Sequence, residues 1–108
     1  MKKLILALGV ALIATGTPAL ALDTVEITIK DHKFEPAEIT IPANTKIKLL
    51  VKNMDSTAEE FESHSMHREK IIPAGSQAVI FIGPLDPGTY EFFGEFNPKT
   101  AKGRVIVK

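Results

Sequence analysis

Between Thr24 and Lys108 the chain alternates apolar and polar residues in short runs, interrupted by proline, glycine and asparagine at intervals of about ten residues. A period of two puts successive side chains on opposite faces of an extended strand, so each run can bury one face and wet the other. Val25, Ile27 and Ile29 alternate with Thr24, Glu26, Thr28 and Lys30. After a loop at Asp31 to Pro36, Ile39 and Ile41 alternate with Glu38 and Thr40. Pro42-Ala43-Asn44-Thr45 turns the chain into Ile47, Leu49 and Val51, set against Lys46, Lys48 and Lys52. Pro73-Ala74-Gly75-Ser76, Gly83-Pro84 and Asp86-Pro87-Gly88 carry turn chemistry, with proline fixing φ and glycine accepting positive φ. They bound the β-branched and aromatic runs Gln77 to Ile82, Thr89 to Phe93 and Arg104 to Val107. This pattern predicts an all-β fold, an antiparallel sandwich or barrel of about six to eight strands. Ser56-Thr57-Ala58-Glu59 fits a helical capping box, a four-residue match too short to establish a helix alone. Neither repeats nor low-complexity segments interrupt the pattern.

The N-terminal stretch has a different composition. Lys2 and Lys3 precede an uncharged apolar run from Leu4 to Thr15, and Ala19-Leu20-Ala21 has the small-x-small form recognised by signal peptidase. We expect an export signal over residues 1–21, cleaved after Ala21, and one domain over 22–108 in the periplasm. The run is too short and wrongly flanked for a spanning helix. Without Lys2 and Lys3, 11 of the 13 basic residues remain against 13 acidic ones, a net charge of −2. No basic run is left to neutralise phosphates, which argues against nucleic acid as a partner. The 108 residues contain no cysteine. Disulfides and a lipid-modified cysteine are thereby excluded, and stability must come from one modest apolar core.

Glu60 to Lys70, EFESHSMHREK, is the one segment that concentrates chemistry. Imidazole suits copper, iron and zinc, thioether suits Cu(I), and carboxylate suits harder ions such as Fe(III). Glu60, Glu62, His64, Met66 and His67 offer all three donor types, and Glu95 is the best candidate from elsewhere in the chain. On a continuous strand Glu60, Glu62, His64 and Met66 share one face, with Phe61 on the other. In a helical turn His64 and His67 share a face instead, and only a loop or bulge gathers His64, Met66 and His67. The plainer alternative is a half-exposed acidic strand, with Arg68, Glu69 and Lys70 in solvated ion pairs of little energetic weight. His32 reads as a solvent-facing loop residue, and Met54 as core or loop packing after the strand-end Asn53. Alternation puts Tyr90 and Phe92 on one face and Phe93 on the other, an arrangement that core packing explains.

Two passages together carry a resemblance. Phe34-Glu35-Pro36 leads through Ile39 to Pro42 into a strand ending in Asn53, and PLDPGTY runs from Pro84 into FFGEFNPKTAKGRVIVK. This is similar to the cupredoxin superfamily, and resembles in particular the cupredoxin-like domains of the EfeO type, as in small periplasmic partners of high-affinity iron permeases. The resemblance implies a Greek-key β-sandwich. It also implies where blue-copper ligands would fall: the first histidine at Glu59 or Glu60, the cysteine at Gly94, the second histidine near Asn97 and the methionine near Ala101 or Lys102. None of these positions holds the expected ligand. A blue site needs a thiolate with two imidazoles, so a blue-copper centre is not expected.

The resemblance implies a periplasmic protein that binds copper or iron and assists iron uptake, either in iron oxidation or in transfer to a permease. Its expected partners are an iron permease or another exported metal-binding protein, with the membrane reached only through a partner. The alternative is a metal-free module in which Glu60, Glu62 and Glu69 form a docking surface. No nucleophile motif, phosphate-binding glycine loop or zinc-protease signature points to an enzyme.

Overall fold

The computed structural model describes residues 22–108. The expected export signal, residues 1–21, lies outside them. Nine strands follow in order: β1 Thr24–Lys30, β2 Lys33–Glu35, β3 Glu38–Ile41, β4 Ile47–Asn53, β5 Glu59–Ser63, β6 Arg68–Ile72, β7 Gln77–Ile82, β8 Gly88–Gly94 and β9 Lys102–Val107. They form a four-stranded sheet, β2-β1-β4-β7, and a five-stranded sheet, β3-β9-β8-β5-β6. The inward faces enclose a core that includes Ile27, Ile29, Leu49, Val51, Phe61, Ile72, Ile82, Phe92 and Val105. Ile47, Leu49 and Val51 point inward, as their alternation with lysines predicts.

Three features go beyond what the alternation alone conveys. Two pairs are parallel, β1 with β4 and β3 with β9. Parallel neighbours need a crossover, which the chain supplies between β1 and β4 by passing through β2 and β3. The strand count reaches nine because the central stretch folds into two strands rather than one and the loop after Asp31 contains the short β2. Finally, Ser56 to Ala58 is irregular and Glu59 already belongs to β5. The capping-box glutamate turns inward and bonds to a distant loop instead of a helix N-terminus.

The two sheets meet through three phenylalanines. Phe34 of β2 packs edge-on against Phe61 of β5 and Phe92 of β8, with centroids 6.0 and 5.0 Å away. Phe61 and Phe92 stack at 4.9 Å. Burying Phe61 fixes the phase of β5: Glu59, Phe61 and Ser63 face inward, and Glu60 and Glu62 face outward.

Candidate metal centre

β5 and β6 are an antiparallel hairpin in which Glu62 lies opposite Glu69 and Glu60 opposite Ile71. The outward carboxylates therefore converge. Glu60, Glu62 and Glu69 each offer an oxygen, and the three atoms lie within 4.8 Å of one another. Glu95 follows β8 and is held beside this group, its N–H donating to the Glu60 carbonyl at 2.9 Å. Like charges at such spacing repel. Partial burial, the charges of Glu69 and Glu62, a hydrogen bond with Glu69 and the charge of Glu95 all push the Glu60 carboxyl above its ordinary value.

The histidines lie at the hairpin turn, residues 64–67, because the strand ends at Ser63. His67 adopts φ +56° and its N–H donates to the His64 carbonyl at 3.2 Å. Arg68 braces the turn, donating from Nη1 to the carbonyls of Met66 and His67 and from Nε to that of Phe81. His64 is 81% exposed, its Nδ1 lies 3.9 Å from Glu62 Oε2, and its ring tilts over Phe93 at 5.4 Å between centroids. His64 and His67 border a shallow depression of about 420 Å³ with Glu62, Ser63, Arg68 and Glu69. A larger cleft, about 680 Å³, opens beside β3, β8 and β9. There Lys102 and Arg104 offset Glu38 and Glu91, so it is the poorer place for a cation.

Met66 does not join this face. It is 5% exposed and part of the core. The four-residue stripe expected of a continuous strand is broken by the turn: Glu60 and Glu62 remain on β5, His64 and His67 move into the loop, and the thioether goes inside. Glu69 takes the place in the cluster that Met66 was expected to fill. Its signal was available in the pairing of EFES with REK about a turn. Arg68, expected in a solvated ion pair, spends its guanidinium on backbone carbonyls. His32 is exposed, as expected, while Met54 is 62% exposed and packs into no core.

The opposite side of β5 holds a second constellation. Glu59 is 2% exposed. Its Oε1 accepts from the N–H groups of Glu60 and Phe96, each at 2.9 Å, and its Oε2 accepts from Asn97 Nδ2 at 2.8 Å. A β-carbon on Gly94 would lie 2.6 Å from Glu59 Cδ and 2.7 Å from Ala101 Cβ. Glu59, Gly94, Asn97 and Ala101 therefore meet at one end of the sandwich. Alternation starting from Phe61 points Glu59 inward, a signal masked by the polarity of the residue.

The fold and the sequence agree on a class: the chain belongs to the cupredoxin-like domain family, whose profile matches residues 3–107. It is 53% identical over 83 residues to an uncharacterised protein of Rickettsia prowazekii (strain Madrid E), a match covering 77% of this chain and 66% of that one. Among solved structures, it is similar to the metal-binding domain of the Streptococcus pneumoniae Cu(I)-exporting P-type ATPase CopA, at TM-score 0.73 and 17% identity over 85% of this chain and 91% of that one. It is also similar to auracyanin A, a blue copper protein of Chloroflexus aurantiacus, at TM-score 0.70 and 13% identity over 82% of this chain and all of the other. Amicyanin of Paracoccus versutus aligns at TM-score 0.63 and 22% identity over 88% of each chain. At these identities the likeness is one of fold.

Copper, the metal named with these neighbours, can be tested against the residues present. At the end of the sandwich where the resemblance places the ligands, Gly94 and Ala101 offer no donor atom, while the Glu59 carboxylate and the Asn97 amide are engaged with each other. This set does not fit a blue-copper ion, which needs a thiolate and imidazoles. Oxygen and imidazole donors accessible to a cation lie on the outward face of the β5–β6 hairpin.

Proposed function

We propose that this protein is an exported, periplasmic metal-binding member of the cupredoxin-like family that assists iron uptake. In this reading it holds an iron or copper ion on its acidic face before passing it to a permease or another exported metal-binding protein. The observation that carries the proposal is the convergence of Glu60, Glu62 and Glu69 within 4.8 Å, with His64 beside Glu62. Carboxylate oxygens with one or two imidazoles suit Fe(III) or Cu(II) better than Cu(I), whose preferred thioether, Met66, is turned inward. Repulsion already present at Glu60 is what a bound cation relieves. The charge of Glu95 adds to the negative field at Glu60, His67 lines the same depression as Glu62 and Glu69, and the apolar run from Leu4 to Thr15 supports export.

Titrating the purified, tag-free exported protein with ferric nitrilotriacetate and with Cu(II), followed by elemental analysis, tests this reading. About one ion per chain is expected for at least one metal, with affinity falling on the order of tenfold or more in E60Q/E62Q/E69Q. The pH dependence has a definite sign. Protons compete for Glu60, whose carboxyl titrates above its ordinary 4.5, so affinity falls as pH drops toward that range. If His64 or His67 ligates, protons also compete for the imidazole, and H64A/H67A removes that part of the pH dependence. Near-zero stoichiometry for both ions, or a triple variant that binds like the parent, would sink the proposal.

The internal engagement of Glu59 favours one rival, a metal-free docking module using the same acidic face. Under that reading E60Q/E62Q/E69Q loses a protein partner, and H64A/H67A, which leaves the buried Met66 in place, leaves iron uptake unchanged.

A further inference from the structure

A carboxylate shut inside a β-sandwich ordinarily faces a cation, because burying the charge unpaired is costly. The three hydrogen-bond donors to Glu59 are instead neutral N–H groups. Both of its oxygens act only as acceptors, the behaviour of a carboxylate, and bonds of this kind are the stronger, charge-assisted type. Two of the donors belong to the loop between β8 and β9. That loop forms part of its own turn: the Asn97 N–H donates to the Gly94 carbonyl, the Thr100 and Ala101 N–H groups to the Asn97 carbonyl, and the Gly94 N–H to the Ala101 carbonyl. These contacts leave the Phe96 N–H and the Asn97 side-chain amide to be satisfied from across the sandwich end, and Glu59 supplies both acceptors. Gly94 completes the fit, since a β-carbon there would occupy the place of the carboxylate.

We propose that the Glu59 carboxylate is a built-in substitute for a metal ion at this end of the fold, tying β5 to the 95–101 loop and making the order of that loop independent of any ion. The substitution explains why the positions of the four expected copper ligands converge in space yet present no vacant donor set. A metal atom gathers side chains by accepting their lone pairs, whereas Glu59 gathers N–H donors by offering lone pairs. The replacement therefore reverses the polarity required of the surrounding residues, and Asn97 and the Phe96 N–H match that reversed requirement. It also sets the position of Glu95, whose own N–H is held on the Glu60 carbonyl one residue before the clasp. The inference does not depend on whether the outward face binds metal.

Amide hydrogen exchange followed by NMR tests it. In the parent protein the Phe96 amide is expected to be protected equally with chelator and with equimolar Cu(II). In E59A its exchange should accelerate by about ten- to a hundredfold, while the amides of Ile27 and Val51 keep their protection. Should E59A fail to fold, E59Q provides the second variant: its remaining carbonyl oxygen can still accept from Phe96, so a smaller acceleration confined to residues 95–101 is expected. Outward metal binding is removed from the comparison by repeating the Cu(II) arm in E60Q/E62Q/E69Q, where the loop amides should again be indifferent to the ion. The proposal is overturned if chelator alone deprotects Phe96, if Cu(II) raises its protection in the triple variant, or if E59A and E59Q leave its exchange unchanged. A parent protein that binds no metal at all defeats the functional reading above while leaving the Glu59 clasp intact.

Discussion

Asp55 performs for one turn what Glu59 performs for another. Asp31 and His32 form the two-residue connection between β1 and β2, and both have positive φ, 55° and 59°. Such a hairpin turn favours asparagine or glycine, and histidine there carries strain. Asp55 offsets it, its Oδ1 accepting from the Asp31 N–H at 2.7 Å and its Oδ2 from the His32 N–H at 2.9 Å. Partial burial pushes the Asp55 carboxyl up, but those two bonds and the nearby His32 and Lys30 charges outweigh it, leaving the group below its ordinary 3.8. A carboxylate with a lowered value in the folded state contributes stability above its unfolded value and loses that contribution as pH falls through the folded one. D55A should cost about 1–3 kcal/mol in urea denaturation at pH 7. D55N should flatten the part of the stability–pH curve that drops below about pH 4. An unchanged acid limb in D55N would remove Asp55 from this role.

At the scale of elements, the β5–β6 hairpin is held by side chains buried away from its outward acidic face. Ser63 Oγ donates to the Glu91 carbonyl at 2.7 Å and accepts the Met66 N–H at 3.2 Å, fastening the turn to β8. The Met66 side chain then anchors it in the core. M66A is expected to cost about 2–5 kcal/mol through the cavity it leaves. M66L, close in volume, should cost less than about 1.5 kcal/mol. These variants separate packing from ligation: M66L should bind Fe(III) and Cu(II) as the parent does, measured by the same titration, and loss of binding in a folded M66L would put the thioether in the site.

For the whole molecule, cohesion runs through Phe34, Phe61 and Phe92, which join the two sheets next to the inward face of β5. F61A should destabilise by about 3–5 kcal/mol in a urea titration, a large share of the 5–15 kcal/mol typical of a small domain. Because Phe61 also sets the phase of β5, this variant should weaken metal binding without removing a ligand. A stability loss below about 1 kcal/mol would mean that the sheets are held elsewhere.

How far the sequence could be read follows from what its periodicity encodes. Alternation reports which side chains share a face within a strand, and it correctly turned Ile27, Leu49 and Phe61 inward. It carries no information about where a strand stops. EFESHSMHREK was therefore open to a continuous stripe, and only the pairing of Glu62 with Glu69 about a turn showed a hairpin. Parallel pairing of β1 with β4 was invisible for the same reason, since it joins segments far apart in sequence.

By itself, then, the sequence determined an all-β sandwich without disulfides and gathered its carboxylate, imidazole and thioether groups into one acidic, histidine-bearing segment. The tertiary structure alone decided that Met66 lies inside, that Glu60, Glu62 and Glu69 bring oxygens within 4.8 Å of one another, and that Glu59 occupies the loop end of the sandwich. Composition lists the donors a chain possesses. Which of them meet depends on turn conformation, strand register and long-range hydrogen bonds, and those come into being only when the sheets close on their core.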